Sequence, residues 1–375
     1  MAPQIAPRPR PLSVQAPAAV VMIRPHRFHP NPQTAADNAF QLEPRAPARA
    51  LAAAAYREVS AAAERLQAEG VRVHLFDDTG EQDTPDSVFP NNWFSTHPGG
   101  HVALYPMYAP NRRRERRGDV IDLLKTHYRV QDVIDYSGLE QDGLFLEGTG
   151  AMVLDHLARV AYVARSRRAD PVALERFCTH FNYEPMVFDA LDPSGRPIFH
   201  TNVLMSIASE FAMIGLRDFV EPVRAAELRA RLRECGRELI ELDARQVAGF
   251  AGNAIELSGR GGEPLLALSR RALDTLERAQ RRLIERSARL LPLDIPTVEL
   301  AGGSVRCMLA GVHLQPRCTA PLDARSAPDD QPASHSACSN ARPSGQSPRP
   351  LSALMCPRSP RSTSSLPQTA AWRRA

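Results

Sequence analysis

The chain is short of the features that mark disulfide-stapled, zinc-binding, membrane-spanning and nucleic-acid-binding proteins. It has six cysteines in 375 residues (Cys178, Cys235, Cys307, Cys318, Cys338 and Cys356), none at a paired spacing. That excludes a disulfide framework and a zinc motif, so each cysteine is judged alone. No run approaches the roughly 18 uninterrupted apolar residues of a membrane span. Met1 to Ala19 has no apolar core of a secretory signal and instead carries five prolines. It reads as a loose, disordered N-terminal extension, and the default compartment is the cytoplasm. There is a single lysine, Lys125, against 45 arginines. Nor is there a real excess of charge. The net +4 comes from residues 318–375, which hold seven Arg and three Asp, so that 46 − 7 = 39 basic and 42 − 3 = 39 acidic residues remain up to Arg317. A balanced body has no electrostatic footprint for nucleic acid or an anionic membrane.

What remains is ordinary globular material, 43% apolar and 23% charged, in a length that suits two or three domains or one repeat-built domain with extensions. Residues 318–375 hold nine Pro and eleven Ser without hydrophobic periodicity, and read as a disordered tail. The change follows abruptly on the apolar run Cys307 to Leu314, as a frame-shifted or readthrough C terminus would produce. The folded body is therefore placed at 20–317.

Within the body, β-rich runs alternate with amphipathic helical ones. Strands are predicted at 20–23, 71–76, 93–95, 102–105, 152–154, 160–164, 203–207, 211–216, 255–257, 265–268 and 305–309. Helices are predicted at 48–69, 111–128, 171–181, 223–234 and 270–289, the third opening on Asp170-Pro171, a cap and first-turn pair.

Lining up the segments that open each hairpin uncovers a repeat. They read Pro90-Asn91-Asn92-Trp93-Phe94, Gly148-Thr149-Gly150-Ala151-Met152, His200-Thr201-Asn202-Val203-Leu204, Ala251-Gly252-Asn253-Ala254-Ile255 and Gly302-Gly303-Ser304-Val305-Arg306. Their third residues, 92, 150, 202, 253 and 304, are 58, 52, 51 and 51 apart. Five units that cannot bury their apolar faces alone suggest a closed ring, with the hairpin entrances converging on a shared cavity.

Several residues at these entrances carry chemistry. A lone cysteine is usually inert packing, but Cys307 sits at the fifth entrance, and a nucleophilic cysteine needs a histidine partner. His200 opens the third unit. Glu147, after the apolar Leu144-Phe145-Leu146, either orients a substrate N–H or holds His200 in its working tautomer; the bland alternative is a turn acid. Asp86, before Ser87-Val88-Phe89, suits the cationic end of a substrate or a turn cap equally. Arg112-Arg113-Arg114-Glu115-Arg116-Arg117 reads first as a solvated helix face and second as a clamp on a substrate carboxylate. His97 and His101 flank Pro98-Gly99-Gly100, a turn, so no zinc site is indicated. Gly259-Arg260-Gly261-Gly262 is a hairpin turn without the lysine of a phosphate loop.

These stretches, with Gln33-Thr34-Ala35, Asn38-Ala39-Phe40-Gln41, Asp86 to Ser95, Leu146 to Gly150, His200 to Ser206 and Gly302 to Leu309, resemble the pentein superfamily of guanidine-modifying enzymes over residues 20–317. The chain is most similar to its citrulline-hydrolysing, amidinotransferase-like branch. The resemblance implies an α/β fold, a five-fold pseudosymmetric α/β propeller of strand-hairpin-helix units. It implies Cys307, His200 and Glu147 as catalytic and Asp86, Asn92 and Asn202 as substrate-binding residues, with no metal or organic cofactor. Relatives that bind guanidinium tend to place carboxylates where this chain has Asn91, Asn92, Gly150 and Asn202. Neutral amides suit the neutral ureido group of citrulline, since they both donate and accept. The implied partner is a small ureido or guanidino amino acid. An amidinotransferase or an arginine deiminase is the alternative enzyme, and a non-catalytic ring the alternative class. Homo-oligomerisation is left open.

Overall fold

A computed structural model describes residues 13–317. The expected disordered tail and the first twelve residues of the expected extension lie outside the described residues. The strands are β1 (Ala19–Pro25), β2 (Arg72–Asp78), β3 (Phe94–His97), β4 (His101–Leu104), β5 (Asp132–Asp135), β6 (Met152–Asp155), β7 (Val160–Ala164) and β8 (Glu184–Phe188). They continue as β9 (Met205–Ile207), β10 (Phe211–Gly215), β11 (Glu238–Leu242), β12 (Ile255–Ser258), β13 (Pro264–Ser269), β14 (Arg289–Leu293) and β15 (Ala310–Gly311).

They form five three-stranded sheets with one pattern. In β3-β4-β5, β6-β7-β8, β9-β10-β11 and β12-β13-β14 the first two strands make an antiparallel hairpin, and the third joins the second in parallel. A parallel neighbour needs a crossover connection, which the helices supply. The fifth sheet keeps the pattern but takes its first strand from the far end of the body. There β15 runs antiparallel to β1, with Val20 opposite Gly311 and Val21 opposite Ala310, and β1 runs parallel to β2. First strands also neighbour one another, β6 against β9, β9 against β12 and β15 against β3. This mixed α/β arrangement is compatible with a pseudo-symmetric ring.

The helices form where the sequence dictates them. Ala48–Ala68 buries Leu51, Ala55, Val59, Ala62, Ala63 and Leu66, one stripe at helical spacing. In Pro171–Phe181 the Asp170 carboxylate accepts from Val172 N and Ala173 N, and Asn182 ends the helix in the left-handed conformation. The helix expected over 270–289 is two, Arg270–Thr275 and Arg278–Ile284, because Glu277 and Gln280 form a capping box that starts the second. The one expected over 111–128 is a 3-10 segment, Pro110–Glu115, followed by Gly118–His127. The runs 203–207 and 305–309, expected as strands, begin as helical turns, Thr201–Leu204 and Val305–Met308. Short buried apolar runs have no period that distinguishes the two. Residues 13–19 depart from the loose extension expected of them. Gln15 Nε2 donates to Leu154 O (3.0 Å) and Ile207 O (3.1 Å), its Oε1 accepts from His156 N (2.9 Å), and Pro17 O accepts from Ser258 N. One amide thus satisfies three backbone groups. Among the described residues no helix is long and apolar enough to cross a membrane.

Candidate active site

Helical turns before the inner strands carry the polar residues. Pro90–Asn92 precedes β3, Gly148–Ala151 precedes β6, Thr201–Leu204 precedes β9 and Val305–Met308 precedes β15. Two glycines let these turns meet. A Cβ on Gly148, whose φ is +45°, would lie 2.5 Å from Asn91 O; one on Gly150 would lie 2.1 Å from the Asn92 side-chain amide and 2.9 Å from His200 Nδ1. Only a residue without a side chain fits either place.

Glu147 and His200 are the residues just before the second and third turns. His200 Nε2 lies 2.7 Å from Glu147 Oε2, and both side chains are buried. Glu147 Oε1 accepts from Tyr108 N at 3.0 Å, and Oε2 lies 3.4 Å from Arg168 Nη1 and 3.6 Å from Arg112 Nη1. Burial alone would push this carboxyl up, but Arg168, the His200 hydrogen bond and Arg112 together hold it well below the usual carboxylate range. Burial lowers His200 to about 4 against the opposing pull of Glu147. At neutral pH the imidazole is therefore neutral, with its proton on Nε2 facing the carboxylate and Nδ1 left to exchange protons.

Cys307 Sγ receives two amide N–H groups, from Asn202 Nδ2 and Asn253 Nδ2, each at 3.2 Å. Asn253 is itself fixed, since Nδ2 also donates to Asn202 O (2.9 Å) and its oxygen faces Cys307 N (3.4 Å). The sulfur is thus flanked by two side-chain N–H donors from different units.

Cys307 and His200 line one narrow cavity with Asp86, Asn92, Arg112 and Arg168. Asp86 Oδ2 accepts from Asn31 Nδ2 (2.8 Å) and sits 3.6 Å from Arg112 Nε, whereas its buried Oδ1 has no partner. With its oxygen turned to Arg112, the Asn92 amide accepts from Nη1 and Nη2 at 3.0 Å and donates to Asn91 Oδ1 at 3.2 Å. Arg112 pairs bidentately with Glu115 (2.9 and 3.0 Å), and Arg168 pairs with Asp37 (2.5 Å). Burial raises Asp86 and lifts Glu115 to about 8.

All six residues expected at the site are thus brought to one region, in different places from those foreseen. Glu147 is turned to His200 and does not line the cavity. Asn202 lies on the sulfur. The arginine run is no solvated face throughout: Arg112 and Glu115 are buried while Arg114 is exposed, because the Arg-x-x-Glu spacing lets Glu115 accept two hydrogen bonds from the Arg112 guanidinium. Asn253 and Arg168 were not foreseen. The repeat alignment held the signal for Asn253, as the counterpart of Asn202; nothing local marks Arg168, which follows β7 in a loop. Among the described residues no three His, Cys, Asp or Glu side chains are arranged to hold a metal ion.

The family model for N,N-dimethylarginine dimethylhydrolase, eukaryotic, matches residues 24–314. The chain belongs to that family. It is thereby a member of the pentein guanidino-modifying superfamily, whose hydrolases act on carbon–nitrogen bonds. No curated protein matches the chain. Among solved structures, this dimethylarginine dimethylhydrolase family member is similar in fold to the substrate-bound N-terminal domain of ArgZ, an arginine dihydrolase from the cyanobacterial ornithine-ammonia cycle. That match has a TM-score of 0.60 at 16% identity and covers 78% of this chain and 97% of that domain. Unliganded AgrE matches with a TM-score of 0.58 at 16% identity over 80% of this chain. The dimethylarginine dimethylhydrolase of Pseudomonas aeruginosa, complexed with citrulline, matches with 0.54 at 13% identity, covering 79% and 99%. The chain spans about two fifths of the full-length ArgZ (41%) and AgrE (40%) chains.

Proposed function

We propose that the protein is a cysteine-dependent hydrolase of citrulline that yields ornithine, carbon dioxide and ammonia, built on a closed five-fold pseudosymmetric α/β propeller. The observation that carries this reading is the charge of the cavity wall, two arginines and one aspartate around Cys307 and His200. A guanidinium would need a carboxylate of its own, and those beside Arg112 and Arg168 are already taken up by these arginines, whereas a ureido group carries no charge to match. The amino-acid end of citrulline finds complementary partners, its carboxylate an arginine and its ammonium the unpaired Asp86 Oδ1. A citrulline complex of the Pseudomonas aeruginosa neighbour supports a ureido ligand in this fold, and a variant of the ArgZ N-terminal domain covalently bound to a reaction intermediate supports a covalent route.

In the proposed mechanism Cys307 gives its proton to His200 Nδ1, and the thiolate, held by Asn202 and Asn253, attacks the ureido carbon. The bond from that carbon to the side-chain nitrogen breaks, its electron pair stays on nitrogen, and His200 returns the proton to release ornithine. Glu147 stabilises the imidazolium between these steps. Water then attacks the S-carbamoyl carbon with His200 as base, the C–S bond breaks, and the carbamic acid formed decomposes to carbon dioxide and ammonia.

The second reading, hydrolysis of arginine or a methylated arginine, is favoured by the family's description and by an unpaired acceptor on Asp86 that also suits a guanidinium. Parallel assays of ornithine and ammonia release from citrulline and arginine, with Cys307→Ala as control, separate them. Ornithine from citrulline, lost in the variant, is the expected result. Faster turnover of arginine, or turnover that survives Cys307→Ala, overturns it.

A further inference from the structure

Arg306 and Cys307 are neighbours in the turn Val305–Met308, yet their side chains enter different cavities. Cys307 lines the candidate active site. Arg306 lines a second cavity, walled also by Glu256, His97, His156, His313 and Gln15. Its volume of about 40 Å³ is several times the roughly 10–15 Å³ that a single water needs on the same measure.

The wall holds one guanidinium, Arg306, and one carboxylate, Glu256, and the two are not paired with each other. Among the described residues Arg306 makes a single side-chain hydrogen bond, from Nη1 to Leu309 O at 3.2 Å, and has no ion-pair partner. The other two arginines near Cys307, Arg112 and Arg168, each have a carboxylate at 3.0 Å or closer. Glu256 is already engaged, its Oε2 accepting from Ser209 N (2.7 Å) and Oγ (2.6 Å). The three imidazoles add donors without adding charge. Burial holds His97 and His156 well below their ordinary range and His313 at about 4. His97 and His313 each keep a buried Nδ1 without a partner, and His156 Nδ1 is taken by Tyr183 OH at 2.8 Å. These histidines are not arranged to share a metal ion. A cation is repelled by Arg306, and an apolar occupant would strand the polar wall.

We propose that this second cavity is a binding site for a small oxyanion of the phosphate or sulfate class, held by the Arg306 guanidinium with neutral histidine N–H groups around it. An anion there also braces the turn that carries the thiol, because Arg306 N donates to Asn253 O (3.3 Å) and the Asn253 amide holds Cys307.

The test is calorimetric titration and thermal shift of the full chain with inorganic phosphate and with sulfate, against chloride at matched ionic strength. Saturable binding is expected in the wild type, weakened about tenfold or more in Arg306→Gln, the loss that a charged hydrogen bond represents. Equal affinity in that variant would place the anion elsewhere, on Arg112 or Arg168, and overturn the proposal, as would the absence of saturable binding in the wild type. If Arg306→Gln fails to fold, Glu256→Gln decides instead. Removing the wall's carboxylate should tighten phosphate binding about tenfold, and an unchanged affinity overturns the site.

Discussion

Replacing Glu147 by Gln keeps the shape of the side chain and a hydrogen-bond acceptor for His200 while removing the charge. Two consequences can be sized separately. In the proposed mechanism His200 carries a proton between steps, and the carboxylate at 2.7 Å would stabilise that imidazolium. Loss of such an anion in other acid–base sites costs up to about 10⁴ in kcat, so a fall of roughly 10² to 10⁴ is expected. In the resting protein Glu147 is buried between Arg168 at 3.4 Å and Arg112 at 3.6 Å. At an effective dielectric of about 20 each contact is of order 5 kcal/mol before desolvation. Breaking a buried pair by removing one partner costs about 3–5 kcal/mol net, or roughly 10 °C in Tm for a body of this size. The assays are steady-state ornithine release and calorimetric melting. A kcat within about twofold of wild type together with an unmoved Tm would refute the reasoning; a lost kcat with an unmoved Tm would refute its charge-balance half.

Gly150→Ala should abolish turnover, since the new methyl would overlap Asn92 and displace His200; a crystal structure with both side chains unmoved and full activity would contradict this. Asn253→Ala removes one of two donors to the Cys307 sulfur and should slow its alkylation by iodoacetamide about tenfold, whereas an unchanged rate would show that the contact does not stabilise the thiolate. For pH, the sign follows from burial. His200 protonates near 6.5 in the unfolded chain but only near 4 when folded, so between those values the unfolded state binds the extra proton and stability falls. Urea stability of the wild type relative to His200→Asn should drop by roughly 3 kcal/mol as the pH is lowered from 6.5 to 4. A flat or rising difference would show that the imidazole is not held neutral.

How far the sequence could be read depended on whether a feature was local. The helix Pro171–Phe181 was legible because its cap and its apolar stripe are written in adjacent residues. The strands β6, β7, β10, β12 and β13 were legible as buried β-rich runs, and the repeat was legible because five turns share one small-residue pattern. By contrast β5 and β11 are broken up by acidic residues, and β8 and β14 each carry a proline, which argues against a strand. In the site, Cys307 and His200 stood out through their position in the repeat. The direction of Glu147, the burial of Arg112 and the presence of Arg168 did not. The sequence by itself marked the five hairpin-opening turns and singled out Cys307 and His200 as candidates, since both follow from residue type and spacing along the chain. Only the tertiary structure decided which charges meet. The partners of Glu147 come from positions 112, 168 and 200 and the donors to Cys307 from positions 202 and 253. Whether a buried charge is matched or stranded is a property of distances in space, which no window of sequence contains.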